Sequence, residues 1–290
     1  MSPSEVPRPL VSTAWLADHL ADKNIRILDA SWYLPAAGRN APAEYLSAHI
    51  PGALFFDLDA ISDPGTALPH MLPSPDQFSR DAGSLGVGDE TFVVVYDSSG
   101  LNMSAPRVWW MFRAFGHEEV AVLDGGLGKW RTEGRPLESG TVSAMPQRFT
   151  ASAQGHMVRD LESIVNNLKS GREQVLDARS AGRFAGTESE PRAGLCPGHI
   201  PGSRSLPFNR LVRPDGTILA AADLRSRFEE SGIILTQPVV ATCGSGTTAC
   251  ALLLGLHVLG HREVALYDGS WSEWGGRSDT PIETGLVAKV

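Results

Sequence analysis

The sequence predicts an α/β protein made of two tandem domains, each a parallel sheet flanked by helices. Three observations carry the prediction. The chain's 290 residues are long for one domain and comfortable for two of about 130–150. The second half repeats motifs of the first in unbroken order. Each half alternates short β-branched runs with stretches of helical period, the pattern that lays parallel strands beneath covering helices.

The repeat can be followed element by element. "ILDASW" (27–32) returns as "VLDARS" (175–180), and "AHIPGALFFD" (48–57) as "GHIPGSRSLPF" (198–208). "FVVVYDSSG" (92–100) aligns with "PVVATCGSG" (238–246), and "VAVLDGGLGKW" (120–130) with "VALYDGSWSEW" (264–274). The offset drifts between 150 residues (His49 to His199) and 144 (Trp130 to Trp274), as a duplication followed by loop insertions would leave it. In the first copy "VVVY" has the composition of a strand and "APRVWWMFRAFG" carries apolar residues at helical spacing. "VAVLD" then returns as a strand ending in an Asp-Gly-Gly turn. The second copy repeats the series as "VVAT", "TACALLLGLHVLG" and "VALYD". Residues 1–135 are expected to form the first domain and 157–290 the second. The stretch 136–156, polar with scattered Pro and Gly, reads as a linker.

Composition excludes several classes. A net charge of −8 and a pI near 5.5 argue against nucleic acid or an anionic membrane as partner. No apolar run reaches transmembrane length. The opening residues resemble neither a secretory signal nor an Arg-rich leader, so a cytoplasmic location is expected. Three cysteines, an odd number with no CxxC pair, give no disulfide framework and no structural zinc site. No metal or cofactor is expected.

The most informative stretch is "VVATCGSGTTAC", from Val239 to Cys250. A loop leaving a parallel strand for a helix lies at the carboxyl edge of the sheet, where α/β proteins place ligand sites. Gly244, Ser245, Gly246, Thr247 and Thr248 are small enough for their N–H groups to curl around one point, the Cys243 sulfur. Inward N–H groups at a helix start form an anion nest that favours a thiolate nucleophile. Three other readings compete. A buried cysteine in a turn leaves the flanking glycines without a purpose. Gly244-Ser-Gly-Thr-Thr-Ala249, with Asp268 ending the next strand, matches a dinucleotide fingerprint. Yet the first copy keeps the same strand, helix and Asp-Gly turn around "DSSGLNMSA", so the repeated fold does not depend on those glycines. A cysteine phosphatase would need an arginine in the loop, and residues 244–250 contain neither Arg nor Lys.

The tandem copies, "HIPG" in each, "SAPRVWWMFRAFGH", "GRFAGTESEPR", "YDGSWSEW" and "CGSGTTAC" together resemble the two-domain rhodanese-like sulfurtransferases, over about Leu10 to Thr284. Within that family the chain is most similar to the branch that uses 3-mercaptopyruvate. The resemblance implies an inactive first rhodanese-like domain, with Asp97 at the cysteine's place, and a second in which Cys243 carries a persulfide. It also implies that Arg183 and Arg192 hold the substrate carboxylate and keto oxygen, and that Ser245, His70 and Asp59 form a proton relay. The first domain would then face the second across the site.

The arginine assignment has independent chemical sense, since a guanidinium fork suits a carboxylate. Against it, Arg192 could pair with Glu188 or Glu190 at the surface, and the first copy keeps Arg39 at the place of Arg183. His70 could be an ordinary loop histidine. His49 and His199 recur in both copies and read as structural; Trp109, Trp110, Trp271 and Trp274 read as core. The uncharged loop suits a donor whose carboxylate is held elsewhere, whereas thiosulfate-using members carry cations there. Thiosulfate as donor, and a sulfur carrier without turnover, are the alternatives. Thr247 stands where the family commonly has valine, a change expected to leave the chemistry as it is. Expected partners are a small sulfur donor and a thiol acceptor such as thioredoxin or a low-molecular-weight thiol, or cyanide.

Overall fold

A computed structural model describes residues 9–285. The two copies build two five-stranded sheets of the same topology, every strand pair parallel. The first contains β1 (Leu10–Val11), β2 (Ile25–Asp29), β3 (Leu54–Phe55), β4 (Phe92–Tyr96) and β5 (Val120–Leu123), in the order β1-β5-β4-β2-β3. The second contains β6 (Val158–Arg159), β7 (Gln174–Asp177), β8 (Arg204–Ser205), β9 (Val239–Thr242) and β10 (Val264–Tyr267), in the order β6-β10-β9-β7-β8. Element for element, the orders are the same.

The central strands read as unbroken apolar runs because both faces of a parallel sheet are covered. Every residue of β4 and of β9 is buried. The helix after each is buried almost all round, which explains its lack of a polar stripe. These are α4 (Ala105–Ala114), where only Arg113 is outside the buried set, and α9 (Ala249–Val258). Trp109, Trp110, Trp271 and Trp274 are core residues. Both "HIPG" histidines are built into their turns. His49 Nδ1 lies 2.7 Å from the Tyr45 carbonyl with its ring stacked on Tyr45, and His199 Nδ1 lies 2.8 Å from the Phe184 carbonyl with its ring on Phe184. Among the described residues, no helix is long and apolar enough to cross a membrane.

The chain separates into two compact units whose membership is not a simple cut. The first holds residues 9–61, Pro73–Gln154 and Val212–Ile218; the second holds Ser62–Leu72, Gly155–Leu211 and 219–285. Each unit therefore includes one short segment from the other half of the sequence. In the first unit, the Ile218 N–H donates to Asp124 Oδ1 at 2.7 Å, and the Gly216 carbonyl accepts from Asn102 Nδ2 at 2.9 Å. In the second, the Leu72 N–H donates to Asp268 Oδ2 at 2.8 Å. Asp124 and Asp268 are the matching aspartates of the repeat, so the borrowed segments are seated in the same way. Burial pushes the Asp124 carboxyl above its ordinary range, opposed by the Ile218 hydrogen bond.

Candidate active site

Cys243 follows β9 directly and is only 1% exposed. The turn after β10 holds its backbone from both sides. The Cys243 N–H donates to Ser270 Oγ at 3.2 Å, and its carbonyl accepts the Trp271 N–H at 3.0 Å. Ser270 begins α10 (Ser270–Trp274) and sits at φ +50°, a region L side chains rarely adopt. The first copy has Gly126 there, at φ +55°. A strained serine thus replaces a glycine only in the copy with the cysteine, and its hydroxyl is what accepts the Cys243 N–H. That difference between the repeats was the available sequence signal for Ser270.

The loop 244–248 leads into α9, whose N-terminal cap is Thr248. Among the described residues, no acceptor stands against the N–H groups of Gly244, Ser245, Thr247 and Thr248. Gly246, at φ +74°, supplies the left-handed turn. The Cys250 thiol, in the first turn of α9, donates to the Gly246 carbonyl at 3.2 Å. The N–H groups of Gly244, Ser245, Thr247 and Thr248 are therefore the ones the loop can turn to an anion, as the nest requires.

The first copy shows the same cradle filled. Asp97 Oδ2 accepts the N–H groups of Ser104 (3.0 Å) and Ala105 (2.9 Å) at the start of α4, while Oδ1 accepts the Ser99 N–H at 2.9 Å. The protein's own carboxylate occupies the anion position. Against the same loop, the borrowed segment presents Gly216 at φ +80°, where any Cβ would lie 3.0 Å from the Gly100 carbonyl oxygen. A side chain there would be strained in φ and tight against that oxygen.

In the second unit, the matching segment presents His70, also at positive φ (+62°) and 3% exposed. Its Nδ1 lies 2.9 Å from Ser245 Oγ and 3.1 Å from Thr247 Oγ1. His70 thus belongs to the unit that carries Cys243, although its position in the sequence suggested the first domain. Asp59 lies in the first unit, where its carboxylate accepts the Trp32 indole N–H at 3.1 and 3.2 Å beside a cavity of about 370 Å³.

Both predicted arginines reach the cysteine loop. A Cβ placed on Gly244 would lie 3.0 Å from Arg183 Nη2 and 3.8 Å from Arg192 Nη1. Arg183 projects from α7 (Ala181–Ala185), which is capped by Ser180. Its Nε donates to Glu190 Oε2 at 3.1 Å, so Glu190 pairs with Arg183 rather than with its near neighbour in sequence, Arg192. The other oxygen of Glu190 accepts from Arg179 at 2.6 Å; Arg179 also binds Asp177 at 2.7 Å and covers the Trp271 ring at 4.3 Å. The side chains of Arg179, Asp177 and Glu190 are all at most 2% exposed. Burial works against the Arg179 charge, but Asp177 and Glu190 outweigh it and raise its pKa. Sequence reasoning missed Arg179 and Glu190, since neither carries a motif apart from its partners. Arg39, the counterpart of Arg183, pairs with Glu44, stacks on Tyr33 at 3.8 Å and donates to the Ser98 carbonyl at 3.3 Å.

Comparison with known proteins agrees with this geometry. The Rhodanese-like domain matches twice, at residues 12–133 and 160–277. A human 3-mercaptopyruvate sulfurtransferase is 47% identical over 94% of this chain and 94% of its own length. An Arabidopsis thaliana protein named thiosulfate/3-mercaptopyruvate sulfurtransferase 1, mitochondrial, is 46% identical over 95% of this chain and 78% of its own. The crystal structure of SseA from Escherichia coli, described among 3-mercaptopyruvate sulfotransferases, superposes with a TM-score of 0.84 at 40% identity, covering 92% of this chain and all of SseA. With both copies matched and relatives of this identity along nearly its whole length, the chain belongs to the rhodanese-like sulfurtransferase family.

Proposed function

We propose that the protein transfers sulfane sulfur from 3-mercaptopyruvate to a thiol or cyanide through a Cys243 persulfide, releasing pyruvate. The observation that carries the proposal is the convergence of Arg183 and Arg192 on Gly244, beside a loop that contains no cation. Two guanidinium forks suit a carboxylate and its adjacent keto oxygen. The cradle of N–H groups suits the anionic sulfur of Cys243 and of the persulfide.

In the first step the Cys243 thiolate attacks the donor's sulfur. The new S–S bond forms as the C–S bond breaks, and the electron pair passes to the pyruvate enolate. The proton from the donor's thiol ends on the enolate carbon, leaving Cys243–S–S⁻ and pyruvate. Ser245, His70 and Asp59 are assigned to that proton movement. In the second step a small thiol, thioredoxin or cyanide takes the outer sulfur and restores the thiolate. Gly244, Gly246, Thr247 and Thr248 contribute backbone N–H groups to the cradle. A cytoplasmic setting belongs to the same proposal, alongside a relative named as mitochondrial.

Steady-state kinetics with both donors tests the proposal, because several relatives carry thiosulfate in their names. Mercaptopyruvate should give the higher kcat/KM, and Arg192→Ala should lower it mainly through KM. A lost charge-assisted hydrogen bond is worth about 1.5–3 kcal/mol, roughly ten- to a hundredfold. Preference for thiosulfate would replace this reading with thiosulfate:cyanide sulfurtransferase activity. Persulfide without turnover would leave a sulfur carrier. His70→Ala provides a separate check. It should slow mercaptopyruvate turnover while sparing persulfide formation from inorganic polysulfide, which leaves no enolate to protonate. Unchanged rates with both would return His70 to a purely local role.

A further inference from the structure

We propose that the Thr247 hydroxyl is a positioning element of the proton relay, freeing Ser245 from exclusive attachment to His70. The inference rests on the sulfurtransferase reading above and deepens it. Two hydroxyls stand at one ring nitrogen: Ser245 Oγ at 2.9 Å and Thr247 Oγ1 at 3.1 Å from His70 Nδ1. All three residues are at most 5% exposed, so water does not readily replace either partner. The imidazole is held there firmly. His70 accepts an unfavourable positive φ, and two residues later the Leu72 N–H is fixed to Asp268.

A bare imidazole nitrogen has one lone pair in the ring plane, while a hydroxyl rotates freely and can either donate or accept. With Ser245 as the one hydroxyl at Nδ1, turning its O–H toward a substrate carbanion would withdraw a hydrogen bond from a bare, buried nitrogen, at a cost. With Thr247 present, its O–H turns to Nδ1 as the Ser245 O–H turns away. When Nδ1 carries the proton, Thr247 Oγ1 instead accepts alongside Ser245. Either protonation state thus keeps a partner while Ser245 moves its hydrogen. Valine fills the same volume and can do neither, so the threonine adds chemistry at a position where the sequence suggested none.

The experiment compares Thr247→Val, Thr247→Ser and wild-type enzyme in two assays: steady-state turnover of mercaptopyruvate, and single-turnover persulfide formation from inorganic polysulfide. Thr247→Val should lower kcat with mercaptopyruvate roughly three- to tenfold, the range of one net hydrogen bond, with KM little changed. Persulfide formation from polysulfide should keep its rate. Thr247→Ser, which retains the hydroxyl, should recover most of the lost kcat. If Thr247→Val lowers the melting temperature, the same split is read in Thr247→Ala. Equal loss in both assays, no loss in either, or failure of serine to rescue would overturn the inference and leave Thr247 as packing. Wild-type enzyme that forms no pyruvate from mercaptopyruvate would overturn the underlying reading, and this inference with it.

Discussion

Cys243→Ser is expected to abolish sulfur transfer, with a fall of on the order of 10⁴-fold or more in kcat/KM and no sulfur added to the protein's mass after exposure to donor. The substitution changes little in shape. Ser270 and Trp271 hold the backbone of residue 243, so the serine oxygen should sit where the sulfur does. It would nonetheless be a neutral hydroxyl, and no covalent sulfane adduct of it would persist. The first copy already contains a related substitution: Asp97 places a carboxylate in the same cradle, bonded to the α4 N–H groups. Retained sulfur mass in Cys243→Ser would move the nucleophile to one of the other thiols. Cys250 is buried against the Gly246 carbonyl and Cys196 is exposed, so digestion and mass mapping would separate them.

Arg179→Met should cost about 3–5 kcal/mol of stability, the range for removing one partner of a buried ion pair. The guanidinium pairs with two carboxylates, Asp177 at the end of β7 and Glu190, and it also donates to the Gly198 carbonyl at 2.7 Å. Methionine fills much of the space above Trp271 but leaves both acids in a site where no more than 2% of their side chains meets water. Urea unfolding should show a lower midpoint with the slope unchanged. A midpoint within experimental scatter of wild type would mean that water reaches the acids and that the network contributes little. Because Glu190 also anchors Arg183, the surviving folded fraction should bind mercaptopyruvate more weakly as well.

The sheets and the cysteine loop were readable in the sequence for local reasons. Strand β4 and helix α4 carry their periodicity in adjacent residues, and the repeat places β9 and α9 without further information. Cys243 stood out because glycines and small hydroxyl residues after a strand have few other uses. Residues whose role depends on distant partners were not readable in this way. Glu190 looked like a surface acid because its companion Arg179 is recognisable only once β7 and the loop after α7 are folded together. Thr247 looked inert because the nitrogen it meets lies 177 positions earlier in the chain. No hydrophobic pattern in Ser62–Leu72 or Val212–Ile218 announces which sheet each segment joins, since turn-rich segments carry little periodicity.

Those two exchanged segments have a hereditary consequence. After the duplication, each half of the coding sequence came to encode a piece of the other half's product. The histidine bonded to the cysteine loop is written in the first repeat, and the glycine packed on the Gly100 carbonyl in the second. Selection for activity in the second unit therefore acts on codons 62–72, within the repeat that has Asp97 in place of the cysteine. A deletion or recombination that removed the first repeat as redundant would remove His70 with it. The duplication is thus locked in, and the first copy is preserved by a loop that its own unit does not include.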